Sequence, residues 1–597
     1  MLYPIDSETR EVRELDGIWD FCLDPLDRGI AEGWERRPWP ERMGMPVPAS
    51  FNDIGTDPRI RDHVGPAWYR REFYCPDSWR GRSVSLRIGA AAHDATVWVN
   101  GTQVVRHRGG FLPFEADVRS AARFGVMGAN TVVIRVSNVL DWTTLPPGQV
   151  SSLPWGGKRQ DYFHDFYNYA GICRPVRLVA QPVDGIDDAR VEVTRSEGNA
   201  LVRVSVATRA ARCEVALADA GAIVATASGQ EARMTVENPR WWSPESPTLY
   251  TLTIRVWDET GGLRDVYHLP VGLRTVRVDG DRFLLNERPF YFRGFGRHED
   301  SDIRGKGADD AVHVRDVALL KWIGANSVRS SHYPYAEEFL RLADREGIAV
   351  IGECPAVGLY HFHEQENPKT PLFTSDKAGA DLRAHHADTV REMIARDRNH
   401  ACILMWSLGN ETATHEAAGF EHFSEVIRLA RQMDSTRPVT VVECNFPRHD
   451  RIGELVDVIA INRYYGWYLD SGDLSSVGAK LRAELAEWRE RWRKPILLSE
   501  YGADTIAGLH KLPSALFTEE FQIELLSAFH EVLDSFPYIV GEHVWAFADF
   551  ATKQGIGRVD GNRKGIFTRQ RQPKAAAFAL RARWTAAEKS RTAATLS

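Results

Sequence analysis

The chain holds only seven cysteines in 597 residues, and none falls in a CxxC pair. They stand alone at 22, 75, 173, 213, 354, 402 and 444. An odd, scattered set excludes a complete disulfide framework and fits reduced thiols in a cytosol. An excess of positive charge is also missing, since 74 Lys and Arg stand against 81 Asp and Glu, for a net charge of −7. That balance leaves no electrostatic footprint for nucleic acid or for an anionic membrane. No apolar run reaches the roughly 18 residues that a spanning helix requires. The first residues, Met1-Leu2-Tyr3-Pro4-Ile5-Asp6-Ser7-Glu8, lack the basic and apolar regions of a signal peptide. These absences predict a cytoplasmic protein with neither a nucleic-acid nor a membrane partner.

What is present is length and a change of period. A single core stops growing at roughly 250–300 residues, so 597 residues require several domains. Residues 1–182 read as antiparallel β, with alternating runs at 83–88, 95–99 and 130–136 and the turn pair Asn100-Gly101 after the second. A jelly-roll-like β-sandwich is expected there. Residues 183–274 carry further short strands near 188–194, 200–207, 213–217, 222–227 and 249–257, which suits an immunoglobulin-like sandwich. The Trp241-Trp242-Ser243-Pro244 step near its end reads as a packing corner. The 18 tryptophans fit a protein that stacks indoles on sugar rings, although core packing accounts for most of them.

After about residue 275 the period changes. Apolar runs at 290–296, 326–331, 349–354, 403–408, 439–444, 458–463, 496–501 and 541–547 alternate with amphipathic segments. Those segments lie at 309–324, 337–347, 378–398, 420–434, 479–493, 519–536 and 574–584. Eight alternations predict a (β/α)8 barrel over 275–597, with only a turn or two of helix between 444 and 458.

Two of these runs end in glutamate. The first is Ile403-Leu404-Met405-Trp406-Ser407-Leu408-Gly409-Asn410-Glu411, and the second is Pro495-Ile496-Leu497-Leu498-Ser499-Glu500-Tyr501-Gly502. A polar residue at the carboxyl end of a barrel strand faces the active site. Two carboxyls meeting there are the minimum equipment for cleaving a glycosidic bond. Glu500 is followed by Tyr501, and tyrosines 464, 465 and 468 end the sixth run, so hydroxyl donors are at hand for an ionised carboxylate. Glu411 follows Asn410, an amide able to bond a sugar hydroxyl or the other carboxylate. A proton-donating carboxyl needs a raised pKa, which repulsion from an ionised partner supplies.

Residues 326–332 (Asn-Ser-Val-Arg-Ser-Ser-His) with Tyr333-Pro334, the Asn410-Glu411 pair and Ser499-Glu500-Tyr501-Gly502 resemble glycoside hydrolase family 2 along nearly the whole chain. The resemblance implies that Glu411 is the general acid/base, that Glu500 is the nucleophile and that configuration is retained. Within the family the chain is most similar to the β-glucuronidases. Asn562-Arg563-Lys564 resembles their Asn-x-Lys motif, which implies that Asn562 and Lys564 hold the sugar carboxylate. It lies beyond Trp545, on the loop after the eighth strand. By the same likeness Tyr464 and Tyr468 sit on a sugar-facing loop, and Arg558 lies in the carboxylate-side loop. Asp165, within Tyr162-Phe163-His164-Asp165-Phe166, reaches the site from the amino-terminal domain. Arg329 and His332 close the second strand. One departure stands out: Thr412-Ala413-Thr414 follows Glu411 where the enteric-type enzymes usually carry proline.

The resemblance further implies a glucuronide as small-molecule substrate and a homo-oligomer, tetramer or dimer. No cofactor or metal is expected. His361-Phe362-His363-Glu364-Gln365-Glu366, inside the 359–373 loop, holds ligand-type side chains at a poor spacing for zinc, and an aglycone-side lid is expected instead. Alternatives are a β-galacturonidase or β-galactosidase of the same family, or a non-catalytic carbohydrate-binding protein.

Overall fold

The alternating run ahead of Asn100-Gly101 becomes the strand Asp94–Val99, and the pair turns it back into Thr102–Arg108. Both turn residues adopt positive φ, +51° and +77°, as a tight hairpin demands and as Asn and Gly tolerate. In the computed structural model, which describes residues 1–154, 157–360 and 370–596, this hairpin forms one edge of a six-stranded sheet. That sheet runs in the order Met43–Val47, Gly17–Leu23, Pro66–Phe73, Asn130–Ser137, Asp94–Val99, Thr102–Arg108. A four-stranded sheet, Glu11–Glu14, Val176–Gln181, Ser83–Ile88 and Phe114–Asp117, belongs to the same core. Trp19, Trp79, Leu86, Val97 and Ile134 are buried in that core.

The next unit is a smaller sandwich. Ile186–Ser196, Asn199–Thr208 and Glu231–Val236 make one sheet. Ala222–Ser228, Arg212–Asp219, Tyr250–Trp257 and Leu263–Val271 make the other. Two of these strands, Glu231–Val236 and Leu263–Val271, were not anticipated; the first is short with two of its six residues charged, and the second contains Asp265 and Pro270. The Trp241-Trp242 step is indeed a corner: Trp242 is fully buried, donates from Nε1 to the Asp344 carbonyl at 2.7 Å, and packs with the barrel core.

Eight parallel strands close the barrel: Phe292–Gly296, Ser327–Arg329, Ala349–Glu353, Ile403–Asn410, Val439–Glu443, Ile459–Asn462, Ile496–Glu500 and Ile539–Trp545. Every residue of these strands is buried, which is why they read as continuous apolar runs rather than as alternations. A small antiparallel sheet, Val276–Asp279, Arg282–Leu285 and Arg288–Pro289, precedes them; Phe283 meets Phe292 edge-on at 4.8 Å where the first strand begins. Helices follow the strands, from Asp310–Ile323, capped by the Asp309 side chain, to Ala575–Leu596. Between the fifth and sixth strands the described residues form only the 3-10 turns Pro447–His449 and Ile452–Glu454, as the sequence predicts.

The first sandwich docks on the barrel mouth. Phe111 stacks on Tyr333 at 4.8 Å, Arg87 pairs with Glu337 at 2.7 Å, and Arg174 pairs with Glu299 at 3.1 Å, all buried. This docking delivers the 162–166 segment to the barrel.

Candidate active site

Glu500 ends the seventh strand and lies opposite Asn462 in the parallel register with the sixth. Arg329, at the end of the second strand, donates from Nη2 to Glu500 Oε1, and Tyr464 donates its hydroxyl to Oε2 at 2.7 Å. Charge-assisted donors on both oxygens fix the orientation of the carboxylate. Burial first, then the carboxylate, pushes the Tyr464 phenol far above its ordinary value, so it stays a proton donor. Of the other tyrosines expected around Glu500, Tyr501 turns away, its hydroxyl 2.9 Å from His530 Nε2. Tyr465 instead donates to Glu484 at 2.9 Å.

Glu411 directly follows the fourth strand. Its backbone is left-handed, φ +50°, a conformation that costs a side-chain-bearing residue ~1–2 kcal/mol and that is held here by a hydrogen bond from its backbone N–H to the Val442 carbonyl at 2.8 Å. Asn462 Nδ2 donates to Glu411 Oε1 at 2.9 Å and to Asn410 Oδ1 at 3.1 Å. Solvent reaches part of the Glu411 side chain, yet dense protein surrounds it. Burial, and next the Glu500 carboxylate, push its carboxyl up to about 8 against the pull of the Asn462 amide. The expected like-charge repulsion is therefore present, but it ranks second to desolvation.

Arg329 is fully buried and joins several groups at once. Its Nη1 lies 2.8 and 2.9 Å from the two oxygens of Glu353 and 3.3 Å from Asn410 Oδ1. His332 Nδ1 is 2.8 Å from Glu353 Oε1, its Nε2 is 3.8 Å from Glu500, and its ring stacks on Trp545 at 5.0 Å. Burial opposes ionisation of Glu353, but Arg329 and then His332 outweigh it and hold the carboxyl below its ordinary value. Trp545 lies over the first strand because Gly296 has no side chain there; a Cβ would come within 2.4 Å of the indole.

The carboxylate-side residues converge a short way off. Lys564 is fully buried, with Nζ paired to Asp504 and 2.8 Å from the Tyr468 hydroxyl. Asn562 donates to Asp165 Oδ2 at 2.8 Å and accepts the Lys564 amide at 3.0 Å. Arg558 forks onto Asp165 at 2.9 and 2.6 Å, meets Tyr468 at 2.7 Å and reaches Asp504 at 3.3 Å. Asp504 is kept below its usual range because Lys564 and then Arg558 outweigh burial.

Apart from Tyr465 and Tyr501, the residues expected at the site fall in two linked clusters: Glu411, Glu500, Asn410, Arg329, His332, Tyr464 and Trp545 in one, and Asp165, Tyr468, Arg558, Asn562 and Lys564 in the other. Tyr464 and Tyr468 join them, their rings 5.0 Å apart. Sequence reasoning missed Glu353 and Asp504, and it placed Asn462 at the start of the sugar-facing loop without a role of its own. Glu353 closes its strand just as Glu500 does, so the strand-end criterion would have found it. The expected lid at 361–366 falls outside the described residues. Among the described residues Asp344, His400 and Cys402 converge as metal-type ligands, but each is already engaged within the protein, the Cys402 thiol donating to the Leu340 carbonyl. His400 Nδ1 is 2.6 Å from Asp344 Oδ2, and the Cys402 amide donates to Asp344 Oδ1 at 2.8 Å. They lie where the third and fourth strands begin, at the end opposite the glutamates.

Comparison with known proteins agrees with this architecture unit by unit. Residues 12–182 match the sugar binding domain of glycosyl hydrolases family 2, residues 177–274 match glycosyl hydrolases family 2, and residues 276–588 match the TIM barrel domain of that family. A β-glucuronidase of Paenibacillus borealis is 49% identical over 593 residues, 98% of either chain. The human β-glucuronidase is 44% identical, covering 99% of this chain and 93% of its own. The solved β-D-glucuronidase of Dictyoglomus thermophilum superposes with a TM-score of 0.93 at 47% identity, over 98% of this chain and 99% of that one. Paired glutamates at the mouth of a closed barrel, two sandwiches ahead of it and likeness along the full length lead to one conclusion: the chain belongs to glycoside hydrolase family 2.

Proposed function

We propose that the protein hydrolyses β-D-glucuronides with retention, releasing D-glucuronate and an alcohol. The observation that carries this reading is the pairing of Glu411 and Glu500 at one mouth with the Lys564–Asn562–Arg558 cluster beside them. An anionic sugar needs a fixed cation and a donor once it is desolvated, and the relatives named above are β-glucuronidases. The uronate carboxylate lies against Lys564 and Asn562, with Arg558 and Tyr468 alongside. Glu500, oriented by Arg329 and Tyr464, attacks C1 while Glu411 gives its proton to the glycosidic oxygen; the C1–O bond breaks and the alcohol leaves. Glu411, now ionised, takes a proton from water, whose oxygen attacks C1 and frees Glu500. The carboxyl at about 8 arrives protonated for the first step at neutral pH.

No described helix is long and apolar enough to cross a membrane. We propose cytoplasmic residence from the seven free, buried cysteines, and a homo-oligomer, tested by light scattering on the eluted peak. The activity is tested by comparing p-nitrophenyl β-D-glucuronide with the corresponding galacturonide and galactoside, together with NMR of the first-formed anomer. Glucuronide preference and a β-anomer first support the reading; preference for either rival sugar, or an α-anomer first, overturns it.

A further inference from the structure

Four barrel strands or their immediate extensions end in glutamate, and one of the four, Glu443, has no part in the chemistry above. It closes the fifth strand, fully covered from solvent. Its Oε1 accepts the Thr414 hydroxyl at 2.6 Å, and its Oε2 accepts Asn445 Nδ2 at 2.5 Å. Asn445 Nδ2 also reaches Thr414 Oγ1 at 3.1 Å and the Thr412 carbonyl at 3.4 Å. The Asn445 carbonyl in turn accepts Arg463 Nη2 at 2.9 Å, and Arg463 Nη1 holds the carbonyl of Asn462 at 2.8 Å. Asn462 is the residue that donates to Glu411.

Glu411 is thus gripped from two directions. On one side is the Asn462 amide; on the other is its own chain, where Thr412-Ala413-Thr414 is bound to Glu443 and Asn445. The segment that departs from the enteric-type motif supplies, in Thr414, the hydroxyl on which that second grip depends. Glu411 needs such restraint, because its left-handed backbone is not self-sustaining and proton transfer demands a carboxyl within hydrogen-bond reach of the leaving oxygen.

We propose that Glu443, acting through Thr414 and Asn445, is a positioning residue that fixes Glu411 for proton transfer to the leaving group. Burial, and next the nearby Asp450 carboxylate, push Glu443 upward against the pull of the Thr414 hydroxyl and the Asn445 amide. The inference rests on the acid/base reading of Glu411, and its test keeps the two apart.

The test compares kcat/KM for phenyl and 2,4-dinitrophenyl β-D-glucuronide in Thr414→Val, Thr414→Ser, Glu443→Gln and, as a reference, Glu411→Ala. Positioned proton transfer contributes roughly 10²–10⁴-fold, and a loosened carboxyl forfeits part of it. Thr414→Val and Glu443→Gln are expected to lower kcat/KM on the phenyl substrate by about tenfold or more while leaving the dinitrophenyl substrate nearly unchanged, and Thr414→Ser is expected to restore it. Thr414→Val keeps the shape of the side chain, so the test survives even if Glu443→Gln folds poorly. Equal losses on both substrates, or none, in the presence of a leaving-group-dependent Glu411→Ala would overturn the proposal and leave the acid/base assignment standing. A Glu411→Ala variant indifferent to the leaving group would overturn both.

Discussion

Replacing Lys564 by alanine separates a lysine that binds substrate from one that merely neutralises its neighbour. Lys564 and Asp504 form a pair with side chains 0% and 4% exposed. Removing one member of a buried pair typically costs about 3–5 kcal/mol, because the other charge is left uncompensated. Asp504 would still accept the Arg563 amide at 2.7 Å and Arg558 at 3.3 Å, which places the stability loss at the lower end, about 3 kcal/mol. The effect on glucuronide turnover has two parts: the lost ammonium, and an Asp504 carboxylate left less fully neutralised beside the substrate anion. Together they predict a fall in kcat/KM of about 10²–10³, at roughly 1.4 kcal/mol per tenfold. A glucoside has no carboxylate to lose, and its weak hydrolysis should stay level or rise. The double variant Lys564→Ala/Asp504→Asn removes the stranded charge. It should recover most of the thermal stability while glucuronide kcat/KM stays low. The assay is p-nitrophenol release from both glycosides, with the melting temperature measured alongside. A double variant that hydrolyses glucuronides like the parent would refute the reasoning, since Lys564 would then act on Asp504 and not on the sugar.

Other outcomes follow from the same geometry. Glu500→Gln should retain the fold and lose turnover by several orders of magnitude, and a 2-fluoro-glucuronosyl label should appear on the Glu500 peptide; a label on Glu411 reverses the roles. Glu411→Ala should regain turnover with azide and yield the β-azide, and no rescue would count against its role as acid and base. Because the Glu411 carboxyl is raised to about 8, kcat/KM should fall as pH rises through that value, and the limb should vanish in Glu411→Gln. The sign for stability is the same: the contribution from this proton is complete below the ordinary carboxylate pKa and is lost as pH climbs to about 8, so Glu411→Gln should flatten the alkaline decline in melting temperature. Tyr464→Phe removes one of two donors to Glu500, and should lower kcat more than it raises KM; a pure KM effect would show that the tyrosine serves the sugar alone.

The barrel was legible because strands buried on both faces announce themselves as apolar runs, and all eight were found. The sandwich strand Glu231–Val236 was not, because its outward positions are Glu231, Arg233 and Thr235 and only three residues face inward. The candidate site was legible only in part, for a specific reason. Glutamate at the end of an apolar run describes Glu353 and Glu443 as well as Glu411 and Glu500, and sequence spacing does not rank the four. Contacts do: Glu353 faces Arg329 and His332, and Glu443 faces Thr414 and Asn445, whereas Glu500 lies near enough to Glu411 to help raise its carboxyl. Choosing Glu411 and Glu500 from sequence rested on resemblance. Asp504 was hidden because its partner lies 60 positions away, beyond any local pattern.

The ion pair between Asp165 and Arg558 spans 393 positions of chain. On a ribosome, the amino-terminal sandwich emerges while that arginine is still unmade, so this contact closes only after the eighth barrel strand, Ile539–Trp545, has been synthesised. Hydrolysis would therefore report more than barrel folding: it would report that an early part of the polypeptide has found a much later one. A fragment that lacks either end should fold in pieces yet stay silent in the assay, and mixing the two pieces should switch the signal on at a rate that depends on their concentration.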